Sequence, residues 1–193
     1  MRYAKEHKLG TRQRIVETAS RRFREEGIDA VGVASLMSSA GLTHGGFYAH
    51  FASKEDLVGA ACVDAFTQTI DRLRQIAAAA APGAQTTALA ETYLSPAHLE
   101  QPGSGCMAAA VGSEIPHHSP EARTQFTEQL QALIGLVEDT LRADGASPDY
   151  ATGIVGSMVG TLTMARAVTD PTLAQTMLQA GLRQGGVVVG GLD

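Results

Sequence analysis

The chain has little cysteine, few aromatic side chains, no long apolar run and no overall excess of positive charge. Only Cys62 and Cys106 occur in 193 residues. They lie far apart without a C-x-x-C pattern, so neither a disulfide framework nor a structural zinc site is expected. No stretch approaches the roughly 20 apolar residues of a membrane span, and the polar segment Met1 to Lys8 leads into no signal-peptide core. The composition therefore predicts a soluble, cytoplasmic protein with no membrane partner. The formal net charge of −5 argues at first against nucleic acid, whose partners usually carry a basic excess. Dividing the charge along the chain reverses that inference. Residues 1–24 hold eight Lys and Arg against two acids, a local balance of +6, whereas residues 57–193 balance to −7. Five of the nine aromatics (Tyr3, Phe23, Phe47, Tyr48 and Phe51) also fall in the first 51 positions. The chain reads as two parts.

Helical spacing of apolar residues dominates both parts, and the final Val187-Val188-Val189 is too short to read as a strand, so an all-α fold of about nine helices is expected. Ile15, Ala19 and Phe23 recur every four residues along a first helix over about Thr11 to Glu26, which Gly27 stops. A short second helix covers about Val33 to Ala40. Thr43 is a natural N-cap for a third through about His50, and Ser53 for a long fourth rich in acid at its start. Further helices are expected over about Thr86 to Leu94, Cys106 to Ile115, Pro120 to Ala143, Pro148 to Val168 and Pro171 to Gln184. A loop is expected from Ser95 to Gly105, and the Gly185 to Asp193 tail has weak helix propensity.

Residues 31–50 read VGVASLMSSAGLTHGGFYAH, two short helices about a tight turn. Gly41 suits a left-handed turn position, Leu42 is placed to bury and fix the angle, and Thr43 starts the second helix. This is helix-turn-helix spacing, in which the N-terminal residues of the second helix meet base edges and flanking helix ends meet phosphates. A compact helical hairpin without that role is the bland alternative.

On these residues the sequence resembles the TetR family of transcriptional regulators, over about Thr11 to Leu57. The strings carrying the likeness are Ile15-Val16 with Ala19 and Phe23, Gly27-Ile28-Asp29-Ala30, Ala40-Gly41-Leu42-Thr43, Phe47-Tyr48-Ala49-His50-Phe51 and Ser53-Lys54-Glu55-Asp56-Leu57. The resemblance implies a three-helix DNA-binding domain over residues 1–56 and a larger helical ligand-binding and dimerisation domain over 57–193. It implies a homodimer on a palindromic double-stranded operator, most often a repressor, released by a small-molecule effector. It places Thr43, His44, Gly45 and Gly46 at the start of the recognition helix, with Tyr48, Lys54 and His50 as further DNA contacts; Phe47 and Phe51 look like packing residues. Gly32 departs from the Ser or Thr cap usual there, and Gly45-Gly46 replaces larger side chains. Arg12, Arg14, Arg21, Arg22 and Arg24 read mostly as a solvated face from which one or two meet phosphate.

Beyond the motif the sequence says less. Phe66, Tyr93, Cys106, Met107, Phe126, Met158 and Met164 are candidate effector-pocket residues; the methionines and the scarcity of charge favour a hydrophobic or electrophilic ligand. Small residues at Gly153, Gly156, Ser157 and Gly160, completed by Leu173 and Met177, suggest close helix approach across a dimer interface. Cys106 follows a glycine-rich loop and opens a helix, where free N–H groups favour a thiolate. The G-C start of this helix also resembles a feature of TetR-type sensors of electrophiles or oxidants, which makes Cys106 sensing the alternative function. His98, Glu114, His117 and His118 make a weak metal cluster, since adjacent histidines cannot both face one site from a regular helix; with Cys106 they leave a small helical Cys/His-dependent enzyme as the less favoured alternative from another class. No cofactor, no metal and no catalysis are expected.

Overall fold

In the computed structural model, residues 2–189 are described, with side chains over 8–183; Tyr3, Arg2, Lys5 and residues 190–193 of the tail thus lie outside what can be discussed in side-chain detail. All regular elements among the described residues are helical. The first helix, α1 (Arg2–Glu26), begins earlier than the apolar stripe alone predicts; no proline precedes Thr11 to break it. Its inner face is the expected one, with Ile15, Val16, Ala19 and Phe23 buried. Gly27 leaves it at φ 87°.

Next, α2 (Val33–Ser39) packs Leu36 and Met37 inward. Its end is closed by two reversed hydrogen bonds: Leu42 N–H donates to Met37 O at 2.9 Å and Gly41 N–H to Ser38 O at 3.0 Å. That pattern requires a left-handed residue between them, supplied by Gly41 at φ 70°. The recognition segment itself is a 3₁₀ turn over His44–Ala49, not an α-helix. Thr43 has the extended backbone of an N-cap, but its side chain makes no capping bond; two consecutive glycines lower the helix propensity behind it. Ser53, by contrast, accepts from Asp56 N–H at 3.1 Å and starts α3 (Lys54–Ala79), 26 residues long.

The expected loop after residue 94 is more ordered than its prolines suggest. Following α4 (Gln85–Tyr93), Ser95 caps and Pro96 opens α5 (Pro96–Glu100), and a 3₁₀ turn covers Pro102–Ser104. The helix expected to reach Ile115 is only α6 (Met107–Val111), five residues; Gly112 then lets the chain turn into a 3₁₀ turn at Ile115–His117. The boundaries of α7 (Pro120–Ala143) match the sequence reading, with Ser119 as cap. Two more helices, α8 (Ala151–Ala167) and α9 (Pro171–Val189), close the chain, α9 continuing past the point where glycine was expected to end it.

The long helix α3 lies against α1, α4 and α7, and α7 in turn against α8, which pairs with α9. Buried side chains form one continuous cluster from Ile15 to Leu178, so the recognition segment is built onto the core of the remainder. Long-range polar bonds reinforce the contact between helices. Ala84 has no capping group, so the Asp144 carboxylate at the end of α7 accepts from Gln85 and Thr86 N–H at 3.0 and 2.8 Å and caps α4 from outside.

Candidate nucleic-acid interface and the buried polar cluster

The turn at Gly41 and Leu42 fixes what the recognition segment presents. Phe47 is fully buried, stacks on Phe51 at 5.6 Å between centroids and meets Tyr48 edge-on at 5.2 Å. With Phe47 as the anchor, Thr43, His44 and Gly45 face solvent and Gly46 is half-buried. Tyr48 is 66% exposed, a large aromatic surface that folding alone would hide. His44 touches its ring edge-on at 6.3 Å. His50 is half-buried; burial first, then the charges of Lys8 and Arg12, hold its imidazole below the ordinary pKa. Lys54 Nζ donates to Ile28 O at 2.7 Å, which ties the start of α3 to the loop after α1 and leaves two of its three donor directions.

The arginines divide differently from the solvated face expected of them. Arg24 is buried, donating to Gly105 O at 2.7 Å and to Ser20 Oγ at 3.0 Å. Arg22 pairs with Glu26 at 2.6 Å and reaches Ser35 and Ser39 on α2, and Arg21 pairs with Glu25. Arg12 lies over the Phe51 ring at 4.6 Å. Among these five, Arg14 is an exposed guanidinium. Much of the local +6 therefore fastens the domain, and the outward basic surface is smaller than the sequence count suggests.

The residues expected to line an effector pocket separate into two groups. Phe66, Tyr93, Cys106 and Met107 are fully buried and Met158 nearly so, while Phe126 is half-buried with its ring edge-on to Phe66 at 5.3 Å. Met164 does not join them. It is 57% exposed, because it stands four residues after Gly160 and so continues the face of α8 formed by exposed Gly153, Gly156 and Gly160. Half-buried Ser157 and Met177 and exposed Leu173 border that face. A surface recess of about 410 Å³ lies elsewhere, between α1, α3 and α7, lined by Arg12, Gln13, Val16, Ala60, Val63, Asp64, Thr67 and Gln125.

Around Cys106 the chain gathers groups that no local pattern announces. Cys106 precedes α6, but a helix of five residues has little dipole to offer, and its thiol makes no capping bond. Three guanidiniums supply positive charge in its place. Arg24 holds Gly105 O, Arg166 Nη2 donates to His98 O at 2.6 Å and Arg72 approaches Ser104 O at 3.5 Å. The pKa values of Arg24 and Arg166 are lowered by burial and partly restored by Cys106. Arg72 Nε and Arg166 Nη1 are buried without a hydrogen-bond partner, and the buried Tyr93 hydroxyl lies against Cys106. His98 has both ring nitrogens engaged: Nδ1 bonds Tyr93 O at 2.7 Å and Nε2 accepts from Cys106 N–H at 2.9 Å. That fixes the tautomer with the proton on Nδ1. Burial, followed by the three arginine charges, brings its pKa down to about 4.

A second cluster joins the turn after α1 to the segment before α7. Glu114 Oε2 accepts from Ile28 N–H at 2.8 Å and from Asp29 N–H at 3.3 Å. Glu55 accepts from Ser119 N–H at 2.9 Å and pairs with His118 Nδ1 at 3.1 Å. Burial pushes its carboxyl pKa up, and the bonds from Ser119 and His118 outweigh this and leave it lowered. His117 is exposed, whereas His98 belongs to the Cys106 cluster. Of the four residues Glu114, His98, His117 and His118, only Glu114 and His118 come together, joined by Asp29, which the sequence reading passed over because it sits 85 positions away.

An anchored turn presenting exposed polar and aromatic side chains at the head of a short second helix defines a helix-turn-helix DNA-binding domain. Residues 15–61 match the family described as bacterial regulatory proteins, tetR family. The regulator TtgR of Pseudomonas putida is 37% identical over 73 residues, which cover 38% of this chain and 34% of TtgR; the chain thus aligns with about a third of that curated relative. Similarity of fold extends much further. The crystal structure of reduced E. coli NemR superposes with a TM-score of 0.80 at 19% identity, covering 95% of this chain and all of that one. A TetR-family regulator from Agrobacterium tumefaciens gives 0.77 at 16% identity, covering 92% and 98%. No described helix is long and apolar enough to cross a membrane.

Proposed function

We propose that this chain is a ligand-responsive transcriptional regulator, a homodimer that represses by binding a palindromic operator and is released by a small hydrophobic or electrophilic effector. The observation that carries the reading is the exposed row Thr43, His44, Gly45 and Tyr48 held by buried Phe47. Residues 1–56 act as the reader and 57–193 as the effector and dimer part. The face of Gly153, Gly156, Gly160, Met164 and Leu173 is the pairing surface, since exposed small residues at helical spacing allow two α8 helices to approach closely. Phe66, Tyr93, Cys106, Met107, Phe126 and Met158 border the effector site. Gel shift with DNA upstream of the protein's own gene tests the reading. Tyr48→Ala and Lys54→Ala should weaken binding to every sequence and flatten its salt dependence, while His44→Ala should change sequence preference. Binding that is indifferent to all three substitutions would refute it.

The convergence of Arg24, Arg72 and Arg166 around Cys106 favours a second reading of the same regulator, in which the effector reacts with this thiol. On a quinone, the sulfur forms a bond to a ring carbon, the thiol proton ends on one ring oxygen and the hydrogen of the attacked carbon moves to the other, leaving a hydroquinone thioether. Cys106 is fully buried, so reagent reaches it only when the Pro96–Gly105 segment opens. Intact mass after mild quinone treatment, paired with operator binding, decides: an unmodified Cys106 with DNA binding unchanged removes this reading and leaves the first. A Cys/His enzyme finds no support in the cluster, because both nitrogens of His98 are already bonded to backbone and neither can take the thiol proton.

A further inference from the structure

We propose that Asp29, Glu114 and His118 form a binding site for one first-row divalent cation of the zinc class, placed at the joint between the α1–α2 turn and the α6–α7 connection. One donor atom from each residue lies within 4.8 Å of the other two. Carboxylates near one another are common on surfaces, so the imidazole is the informative member. The His118 side chain is only 5% exposed, with Nδ1 on the Glu55 carboxylate. Its Nε2 is buried and has no hydrogen-bond partner. A buried nitrogen with an unused lone pair is costly unless something fills it. A carboxylate on the opposite ring nitrogen is the arrangement that fixes a metal-binding histidine: it holds the proton on Nδ1, orients the ring and makes Nε2 more basic.

Glu114 is set in place as well. Its Oε2 takes the Ile28 and Asp29 N–H groups, and its Oε1 lies toward Gly27, 3.1 Å from where a Cβ would stand. The carboxylate is therefore oriented before any cation arrives. Asp29, exposed on the turn, supplies the third donor. Glu55 adds a third negative charge beside them, and the nearby Lys54 spends a donor on Ile28 O. One imidazole with two carboxylates suits Zn²⁺ and its first-row neighbours; Ca²⁺ prefers an all-oxygen shell. Tetrahedral coordination at about 2.1 Å brings donors to roughly 3.4 Å from each other, so the exposed Asp29 side chain has to move inward, with water completing the shell. Binding would draw the α1–α2 turn onto the segment before α7 and so alter how the recognition turn is held.

The test uses untagged, full-length protein stripped with chelator and titrated calorimetrically with Zn²⁺, with the visible spectrum of bound Co²⁺ as an independent readout. The expected result is one ion per chain and a raised thermal midpoint. Asp29→Asn and His118→Gln should each weaken binding at least tenfold, and Glu55→Gln, which removes both the carboxylate behind His118 and one nearby negative charge, by about tenfold or more. His117→Gln and Cys106→Ser should leave it unchanged. Asp29 is exposed, so its variant folds even if His118→Gln does not. Absence of saturable one-per-chain binding, binding unaffected by Asp29→Asn, or loss on Cys106→Ser would each overturn the proposal; the first would mean that water alone satisfies His118 Nε2.

Discussion

The recognition turn and the cluster around Cys106 solve opposite problems. At the turn, a few buried residues within ten positions of each other hold polar side chains out in solvent. Around Cys106, residues 24, 72, 93, 98, 106 and 166 bring polar and charged side chains into the interior, where Arg24 and Arg166 find partners 81 and 68 positions away. The first arrangement costs little to assemble and leaves its functional groups free for another molecule. The second is expensive to desolvate, and its bonds to backbone carbonyls at 98 and 105 fasten α1 and α8 to the same loop. Local geometry therefore suffices to present the polar side chains of the turn, while the interior cluster ties that turn to the helices behind it.

If that contrast is right, perturbing the cluster should change stability and perturbing the turn should change mainly binding. The largest effect is expected from pH. The folded His98 imidazole has a pKa of about 4 against an ordinary 6.5. Between those values the unfolded chain takes up a proton that the folded chain refuses, so stability present above pH 6.5 is lost as pH falls toward 4. The loss amounts to as much as about 3 kcal/mol. Chemical denaturation from pH 7 to 5 should show this slope, and His98→Gln should flatten it; an equal slope in the variant would place the titration elsewhere. Next, Arg24→Met leaves the Gly105 carbonyl without its charged donor and should cost about 2 kcal/mol, whereas Arg14→Ala should stay within about 0.5 kcal/mol and affect only DNA affinity. Equal losses in the two variants would erase the distinction between fastening and outward arginines. The smallest effect belongs to the turn. A Cβ on Gly41 meets nothing within 4 Å, so Gly41→Ala costs only its left-handed backbone, about 1 kcal/mol. Operator binding should nevertheless fall more than stability does, because the angle between the two short helices changes.

The contrast also explains what could be read from the sequence. The all-α class, the long α3 with its Ser53 cap, the bounds of α7 and the turn at Gly41-Leu42 rest on signals a few residues apart, and such signals survive in a linear string. The apolar character of Met164 points to a pocket, whereas its i+4 relation to Gly160 places it on the exposed face of α8. Thr43 has the right backbone for a cap and no capping bond, since glycines at 45 and 46 favour a tighter 3₁₀ path. Arg24 was indistinguishable in sequence from its exposed neighbours. Its destination depends on a carbonyl 81 positions away, and nothing in residues 20–28 encodes that distance. His118 differs from His117 only in which side of a three-residue turn it occupies.

At about 1.5 Å per residue, the 26 residues of α3 reach roughly 39 Å. One end carries Lys54, bonded to the loop before the recognition turn, and two-thirds of the way along sit Thr69 and Arg72, beside Gly105 and Ser104. A straight rod of that length acts as a lever. Tilting it by about 5° around Thr69, roughly 22 Å from Lys54, carries Lys54 through roughly 2 Å, enough to stretch a hydrogen bond past its range. A displacement too small to disturb the packing near Cys106 is thus large enough to part Lys54 from Ile28 and let the turn swing.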